Sequence, residues 1–220
     1  MKRPRICAVI TDNDIKSIKK VEPLADLFEV RIDLIGESWQ EVVRQLKKPW
    51  IACNRSVEEG GKGEKIETLR IEKLLKAIEL GAAIIDIELR TERLAQIMPV
   101  IGKRAKRLLS FHDFTGTPDL EEMRGLVRKQ INAGADICKV VTTAQKFDDN
   151  LTILQLIAEF PVLRIVAFAM GERGLLSRIF CPMAGGDFTY AAIEVGKESA
   201  AGQITVKDLR NLYEMVRNGN

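Results

Sequence analysis

Long apolar runs are missing from this sequence of 220 residues. Apolar stretches such as residues 82–85 and 165–170 are far shorter than the ~18 residues that suggest a membrane-spanning helix. Charged residues stand near the amino terminus, but no apolar stretch of signal-peptide length precedes Asp12. We therefore expect a cytoplasmic protein that has no membrane partner.

Blocks of like charge are missing as well. The 34 lysines and arginines and the 31 aspartates and glutamates leave a formal net charge of +3 and are interspersed along the chain. There is no run of about five or six like charges that could form a binding stripe for a polyanion. Nucleic acid is therefore not an expected partner, and the composition is typical of a globular chain that folds on its own core.

Cysteine and histidine are too sparse and too scattered for a metal centre. Cys7, Cys53, Cys138 and Cys181 form no CxxC pair, and no His or Cys stands at zinc-ligand spacing from another. His112 is the only histidine, so any side chain that shuttles protons near neutrality with an ordinary pKa must be this one. We expect no metal and no cofactor.

What the sequence does contain is a regular alternation of short β-branched runs and longer amphipathic stretches, with no linker between two halves. The predicted strands cover residues 6–10, 27–33, 50–54, 83–88, 107–111, 136–141, 163–169 and 188–193. The predicted helices cover residues 14–20, 39–46, 66–80, 91–102, 119–133, 146–160, 174–179 and 205–217. Gly81 and Gly134 stand where left-handed C-caps would fall, and Pro118 suits the first turn of the fifth helix.

Eight such units are typical of a (β/α)8 TIM barrel, and we predict an α/β fold with one barrel domain over residues 1–220. A doubly wound sheet is the alternative, but the first strand runs into TDND rather than into the GxGxxG turn of a dinucleotide site. In a barrel, reactive side chains stand at the carboxyl ends of the strands. The predicted strand ends carry Glu29, Arg31, Asn54, Arg55, Asp86, Glu88, His112, Asp113 and Lys139.

Lys139 is the most informative of these residues, because ADICKVVTT places an ammonium within an otherwise apolar strand. Desolvation and neighbouring cations lower the pKa of a lysine, and the neutral amine forms Schiff bases with ketones and aldehydes. The alternative is a lysine that snorkels from the rim or pairs with Glu88. Together with His112, Lys139 indicates imine chemistry with acid/base assistance, for which a dehydratase and a class I aldolase are the two outcomes.

Arg178, in GLLSRIF, would suit a carboxylate or a phosphate through its bidentate fork if it lies near the same mouth. The alternative is an ordinary surface arginine. The glycine-rich stretches at residues 60–63 and 184–187 resemble anion-binding loops, but neither is a Walker motif. We interpret them as flexible lid or hinge segments.

Seven short segments occur in the order that is typical of one known family. They are EVRID at residues 29–33, NRSVEEGG at 54–61, IDIEL at 85–89, SFHDF at 110–114, GADICKV at 134–140, MGERGLLSR at 170–178 and SAAGQI at 199–204. Over nearly its whole length the chain resembles the type I 3-dehydroquinate dehydratases, shikimate-pathway enzymes that form 3-dehydroshikimate from 3-dehydroquinate.

The resemblance implies a role for each matching residue. It implies that Lys139 forms the Schiff base, that His112 is the general acid and base, and that Glu59 orients this histidine. Substrate binding would fall on Glu29, Arg31, Arg55, Arg178, Ser199 and Gln203. The family pattern also implies a homodimer and a reaction that needs no metal or organic cofactor.

One position departs from the family pattern, since Ala201 stands where SAPGQ is usual. Without that proline the loop that carries Ser199 and Gln203 keeps a free φ, so we expect a looser lid over the bound ring. Two other functions stay open. A class I aldolase would need a phosphate site, for which residues 184–187 are the candidate, and a barrel that has lost catalysis would only bind its ligand.

Overall fold

The structure of the chain is a computed structural model that describes residues 3–218, and its central element is a ring of parallel strands. The strands are β1 (Ile6–Ile10), β2 (Leu27–Arg31), β3 (Trp50–Cys53), β4 (Ile84–Glu88), β5 (Lys106–His112), β6 (Ile137–Thr143), β7 (Ile165–Met170) and β8 (Thr189–Ala192). Their hydrogen-bonded order is β7-β6-β5-β4-β3-β2-β1-β8. Because the strands follow one another in chain order and β1 pairs with β8, the predicted barrel is confirmed and the doubly wound alternative is wrong.

The ring is held more loosely between β7 and β8 than between its other strands. Within residues 3–218 no ladder joins these two strands, but Asp187 donates its N–H to the carbonyl of Ile165 over 2.8 Å at the amino end of β7. Higher in the barrel, the rings of Phe168 and Tyr190 meet edge to face with 5.9 Å between their centroids. Arg164, just before β7, also donates two hydrogen bonds to the carboxylate of Asp187, so a few separate contacts replace a ladder.

Helices alternate with the strands, as predicted. They are α1 (Ile15–Val21), α2 (Ile32–Ile35), α3 (Trp39–Val43), α4 (Glu67–Glu79), α5 (Leu94–Gly102), α6 (Leu120–Asn132), α7 (Asp148–Ala158), α8 (Leu175–Phe180) and α9 (Val206–Asn218). The carboxylate of Asp119 caps α6 by accepting from the N–H of Glu122. Gly81 and Gly134 follow α4 and α6 with φ of 93° and 87°, which confirms both predicted left-handed caps.

Several predicted boundaries were wrong. β2 ends at Arg31 rather than at residue 33, because the chain turns into α2 there. The helix predicted from residue 91 starts later, after Arg93, whose φ of 55° is outside the helical region. The helices predicted over residues 39–46 and 146–160 are shorter at their ends. Pro118 precedes the N-cap of α6 instead of lying in its first turn.

The strands carry both the core and the site. Every residue of β1, β2, β3, β4 and β8 is buried, as expected for parallel strands that helices cover on one face and barrel core fills on the other. The register sets Ser110 of β5 beside Lys139 of β6. Inward side chains of alternate strands share one layer of a barrel, which lets a residue of β4 reach one of β6. Among the residues described here, no helix is long and apolar enough to cross a bilayer.

Candidate active site

A cavity of about 370 Å³ lies at the carboxyl ends of the strands, and it brings together every residue to which the family resemblance assigned a role, whereas Asn54, Asp86, Glu88 and Asp113 of the predicted strand ends do not line it. Its lining includes Glu29, Arg31, Arg55, Glu59, His112, Lys139, Arg178, Ser199 and Gln203. Apolar side chains complete the wall, among them Phe168, Met170 and Tyr190. The cavity thus combines an apolar enclosure with a few converging charged groups, which is typical of a small-molecule site.

Lys139 projects from the middle of β6 into the interior of the barrel. Its Nζ lies 2.8 Å from Oδ2 of Asp86 and 3.4 Å from Oε2 of Glu29. The same nitrogen lies over the ring of Tyr190, 4.3 Å from the centroid. The side chain is 5% exposed, so it does not snorkel to solvent. The alternative pairing with Glu88 is also wrong, because other cations hold that carboxylate.

The pKa of Lys139 departs from the expectation. Burial lowers the pKa of this amine, but the carboxylates of Asp86 and Glu29 outweigh burial, and the pKa is raised above its ordinary value. The cation of Arg55 opposes the carboxylates less strongly. The prediction of a lowered pKa was therefore wrong, and Lys139 is an ammonium that must lose a proton before it can act as a nucleophile.

His112 ends β5 and forms a pair with Glu59, which lies in a 3-10 turn after β3. The Nδ1 atom of His112 is 2.7 Å from Oε2 of Glu59. Burial lowers the pKa of His112 well below its ordinary value, and the cations of Arg55 and Lys139 lower it further. Burial also raises the pKa of Glu59 to about 7. The imidazole is therefore neutral at neutral pH, and Nε2 remains to exchange a proton with a ligand.

Two glycines make the turn that brings Glu59 to the histidine. Gly60 has a φ of 81°, in the left-handed region. A Cβ on Gly61 would lie 1.8 Å from the carbonyl oxygen of Arg55, so only glycine allows the chain to fold back there. The interpretation of this stretch as a flexible lid or hinge missed its role, because reasoning from the residues alone did not single out Glu59. Only the family resemblance pointed to this glutamate.

Arg55 is fully engaged by the framework of the site. Its Nη1 lies 2.9 Å from Oε1 of Glu88 and 2.6 Å from Oγ of Ser110. Its Nη2 lies 2.7 Å from Oδ2 of Asp86. Arg31 is similarly engaged, since Asp33 accepts two hydrogen bonds from its guanidinium. Both arginines reach the cavity wall, but both also hold buried carboxylates in place.

Arg178, in α8, has no such partners. The residue is 1% exposed, and its Nε and Nη2 atoms make no hydrogen bond within the described part of the chain. Its guanidinium lies over the ring of Phe168, 4.2 Å from the centroid. Burial lowers the pKa of this group to about 10. The alternative of a surface arginine is wrong, and a buried cation without a counterion is suited to an anionic ligand.

The loop after β8 covers the same side of the cavity. Gln203 accepts a hydrogen bond from the N–H of Ser199 over 2.9 Å through its Oε1 atom. The carbonyl of Ala201 accepts one from the N–H of Gly171, at the end of β7, over 3.1 Å. A Cβ on Gly202 would lie 2.3 Å from the carbonyl oxygen of Gly171, so the loop rests directly on the backbone of β7.

One group of potential metal ligands lies in the barrel, formed by Glu29, Cys53 and Asp86. Cations of the chain already meet its carboxylates, since Lys139 contacts both and Arg55 contacts Asp86. The donor set is therefore matched in charge by these two side chains and does not fit a resident metal ion.

The glycine-rich stretch at residues 184–187 lies far from this mouth. Gly185 and Gly186 line another cavity, beside Arg5 and Arg164. Asp187 binds both of those arginines, and it precedes β8, at the amino end of the strands. The candidate phosphate site of the aldolase alternative is thus at the end of the barrel opposite to the amine of Lys139.

The fold and the cavity define an α/β-barrel enzyme that keeps its ionisable side chains at the mouth. A model of the type I 3-dehydroquinase family matches residues 6–220. A 3-dehydroquinate dehydratase of Dehalococcoides mccartyi is 43% identical over 221 residues, which cover 100% of this chain and 99% of that protein. Another, from Methanocaldococcus jannaschii, is 36% identical over 96% of this chain and 98% of that protein.

A solved structure gives the same assignment. The type I 3-dehydroquinate dehydratase of Clostridium difficile with covalently modified comenic acid superposes with a TM-score of 0.86 at 25% identity, covering 99% of this chain and 94% of that one. The chain belongs to the type I 3-dehydroquinase family, and it is an enzyme of the lyase class. The resemblance inferred from the seven sequence segments is confirmed.

Proposed function

We propose that the chain converts 3-dehydroquinate to 3-dehydroshikimate by eliminating water through a Schiff base on Lys139, as a step of aromatic amino acid and chorismate biosynthesis. The names of the relatives and the family support the substrate and product. The observation that carries the proposal is the meeting of a buried lysine, a neutral histidine and an unpaired guanidinium in one cavity. The homodimer and the cytoplasmic location stay predictions.

Substrate binding begins at Arg178, whose unpaired fork receives the substrate carboxylate. The carboxylate neutralises a buried cation that otherwise has no counterion, which removes an unfavourable free energy from the protein. The Arg178 site therefore favours ligands that carry an anionic group. Glu29 lines the same cavity and accepts hydrogen bonds from ring hydroxyls, and Arg31 and Arg55 line it as well. Ser199 and Gln203 cover the ring from the loop after β8.

Imine formation requires the Lys139 ammonium to lose a proton. Neutral His112 is the base for this step, because its uncharged imidazole keeps one nitrogen unprotonated and able to accept. The amine attacks the ring ketone, and the resulting alkoxide takes a proton from the new ammonium nitrogen to give the carbinolamine. His112 then protonates the carbinolamine hydroxyl, which leaves as water and gives the iminium. Glu59 holds the imidazole ring through Nδ1 during both transfers.

Elimination uses the same imidazole twice. His112 removes the α-proton beside the iminium, and the electron pair forms an enamine. The enamine expels the β-hydroxyl, which takes the proton back from His112 and leaves as water, so both transfers occur on one face and the elimination is syn. A second water then hydrolyses the iminium, which frees product and lysine. The net change is the loss of one water, and no cofactor is consumed.

Borohydride trapping tests this proposal directly. The wild-type protein incubated with 3-dehydroquinate and sodium borohydride should gain one reduced adduct, and peptide mapping should place it on Lys139. Lys139→Ala should keep the fold, lose turnover and gain no adduct. Lys106→Ala, at the amino end of β5, is the matched control and should trap ligand like the wild type. His112→Ala should still trap ligand slowly without completing turnover.

The remaining functions make different predictions for the same samples. An aldolase would cleave a phosphorylated sugar and ignore 3-dehydroquinate, although the candidate phosphate segment lies at the far end of the barrel. A barrel that only binds its ligand would gain no mass with borohydride. An adduct on a lysine other than Lys139 would overturn the site assignment but keep the reaction class.

A further inference from the structure

The carboxylate nearest to the Lys139 amine has no role in the steps above. We propose that Asp86 is a permanent counterion of the Lys139 nitrogen, a positioning residue that aims the amine and stabilises the iminium. The inference rests on the proposed function and deepens it. Asp86 is one of the residues at the predicted strand ends, but neither the family resemblance nor the spacing of residues assigned it a part in the reaction.

The contact between the two residues arises from the barrel itself. Asp86 is on β4 and Lys139 is on β6, with β5 between them. Their side chains point inward and meet across β5, where Oδ2 of Asp86 and Nζ are 2.8 Å apart. Glu29, the second carboxylate, is more distant at 3.4 Å. Asp86 therefore makes the shorter of the two charged contacts of the amine.

Asp86 is also held so that it cannot turn away when a ligand arrives. Its Oδ1 accepts a hydrogen bond from Oγ of Ser110 over 2.6 Å, and its Oδ2 accepts one from Nη2 of Arg55 over 2.7 Å. The Asp86 side chain is 0% exposed. Glu29 lines the cavity, whereas Asp86 lies behind the lining, so a bound ring can replace the contact of Glu29 but not that of Asp86.

The charge of Asp86 is as permanent as its position. Burial raises the pKa of this carboxyl, but the cations of Arg55 and Lys139, together with the hydrogen bonds from Lys139 and Ser110, hold it far below its ordinary range. Asp86 is therefore ionised throughout the working range of an enzyme. A group with so low a pKa is a poor proton acceptor, which leaves proton transfer to the His112 and Glu59 pair.

A fixed anion beside the nitrogen acts differently on each intermediate. The nitrogen carries a positive charge as the ammonium and as the iminium, and it is neutral in the attacking amine and in the enamine. Asp86 favours both cationic states. It therefore increases the population of the iminium, and in return it makes the free amine available only at higher pH. The larger iminium population favours the reaction, whereas the smaller population of free amine opposes it. A residue with a merely structural role would change neither population.

Asp86→Asn separates these effects, because it removes the charge and keeps the size. The variant should show a kcat lower by about 10²-fold. The acid limb of its kcat/KM profile should move to lower pH by about one unit or more, since Lys139 then loses its proton more easily. Less adduct should be trapped at equilibrium with 3-dehydroshikimate and borohydride. An unchanged acid limb with unchanged trapping would overturn the proposal.

Two further variants keep the test decisive. Asp86→Glu keeps the charge, so its acid limb should stay close to that of the wild type even if kcat falls. Asp136→Asn makes the same chemical change at the other end of the barrel, where Asp136 pairs with Arg107, and it should leave the pH profile unchanged. A shift in Asp86→Glu equal to that in Asp86→Asn would assign the effect to packing and refute the role of charge.

A measurement on the wild type covers the case in which Asp86→Asn does not fold. Reductive methylation of Lys139 by formaldehyde and borohydride, followed by peptide mapping, should increase only above the pH at which an ordinary lysine reacts. Reaction of Lys139 at lower pH than exposed lysines would contradict the proposal. If the wild type traps no 3-dehydroquinate, the proposed function fails; if it does and Asp86→Asn behaves like the wild type, only the counterion role fails.

Discussion

Arg55 and Arg178 are both buried at the same cavity, yet their surroundings are opposite. Arg55 donates hydrogen bonds to Asp86, Glu88 and Ser110. Burial lowers its pKa, but the carboxylates of Asp86 and Glu88 outweigh burial and keep the pKa well above the ordinary value. Arg178 has unpartnered nitrogens over the ring of Phe168, and burial lowers its pKa to about 10. One guanidinium is satisfied before a ligand arrives, and the other is not.

The difference separates two functions within one mouth. On the side of β3 to β6, charges are matched in pairs, and they fix the amine of Lys139 and the carboxylates around it. On the side of β7 and β8, the guanidinium of Arg178 has no counterion among residues 3–218, and the loop after β8 covers it. The first side is prepared for chemistry and the second for an anionic ligand.

Arg55→Gln should have the largest effect on stability. The substitution leaves Asp86 and Glu88 buried with one cation fewer, and removing one partner of a buried ion pair costs about 3–5 kcal/mol. We expect the free energy of unfolding, measured with urea, to fall by that amount. Arg124→Gln, which removes surface ion pairs with Glu121 and Glu159, is the control and should unfold close to the wild type. Equal urea midpoints of unfolding for Arg55→Gln and Arg124→Gln would contradict the role of Arg55 in stabilising the buried carboxylates.

Arg178→Gln should affect ligand binding rather than stability. Its loss removes an uncompensated buried charge, so the free energy of unfolding should stay the same or rise. Ligand binding should weaken by about 1.5–3 kcal/mol, the value of a hydrogen bond to a charged group. Steady-state kinetics with 3-dehydroquinate should therefore show a KM higher by roughly 10- to 150-fold.

Arg178→Lys refines this prediction, because it keeps the charge and loses the planar fork. Its KM should lie between those of the wild type and Arg178→Gln. A loss of stability in Arg178→Gln comparable to that in Arg55→Gln would remove the distinction between the two arginines.

Ala201→Pro should have the smallest effect, and it tests how the loop after β8 contributes to ligand binding. Ala201 uses its carbonyl to accept from Gly171, and within residues 3–218 its N–H donates no hydrogen bond that a proline would remove. Restricting φ should favour the covering position of the loop by about 0.4–1 kcal/mol. We expect a KM lower by about two- to fivefold. Ala201→Gly should raise KM, and a KM change of the same sign in both variants would contradict the looser lid.

Much of the fold could be predicted from the sequence because barrel strands and helices carry local signals. The apolar runs predicted all eight strands, and Gly81 and Gly134 predicted two helix ends. Boundaries were wrong where contacts between residues distant in sequence decide them, as at the end of β2, where the carboxylate of Asp33 accepts hydrogen bonds from the N–H groups of Arg55 and Lys62.

The site was only partly predictable for the same reason. Lys139 was visible because an ammonium is rare within an apolar strand, and His112 because it is the only histidine. The pKa of Lys139 was not predictable, since its carboxylate partners Asp86 and Glu29 are 53 and 110 residues away along the chain. The position of Glu59 depends on a turn that only the folded backbone reveals.

The missing ladder between β7 and β8 gives the cylinder a seam. Adjacent strands elsewhere exchange several backbone hydrogen bonds, whereas here separation breaks one backbone hydrogen bond, the ion pair of Arg164 with Asp187 and an aromatic contact. Amide hydrogens along this seam should exchange with deuterated water sooner than those of β3 to β6. We therefore expect the wall that seats the ligand to open on warming before the wall that holds the amine, so that affinity is lost while the reactive centre is still assembled.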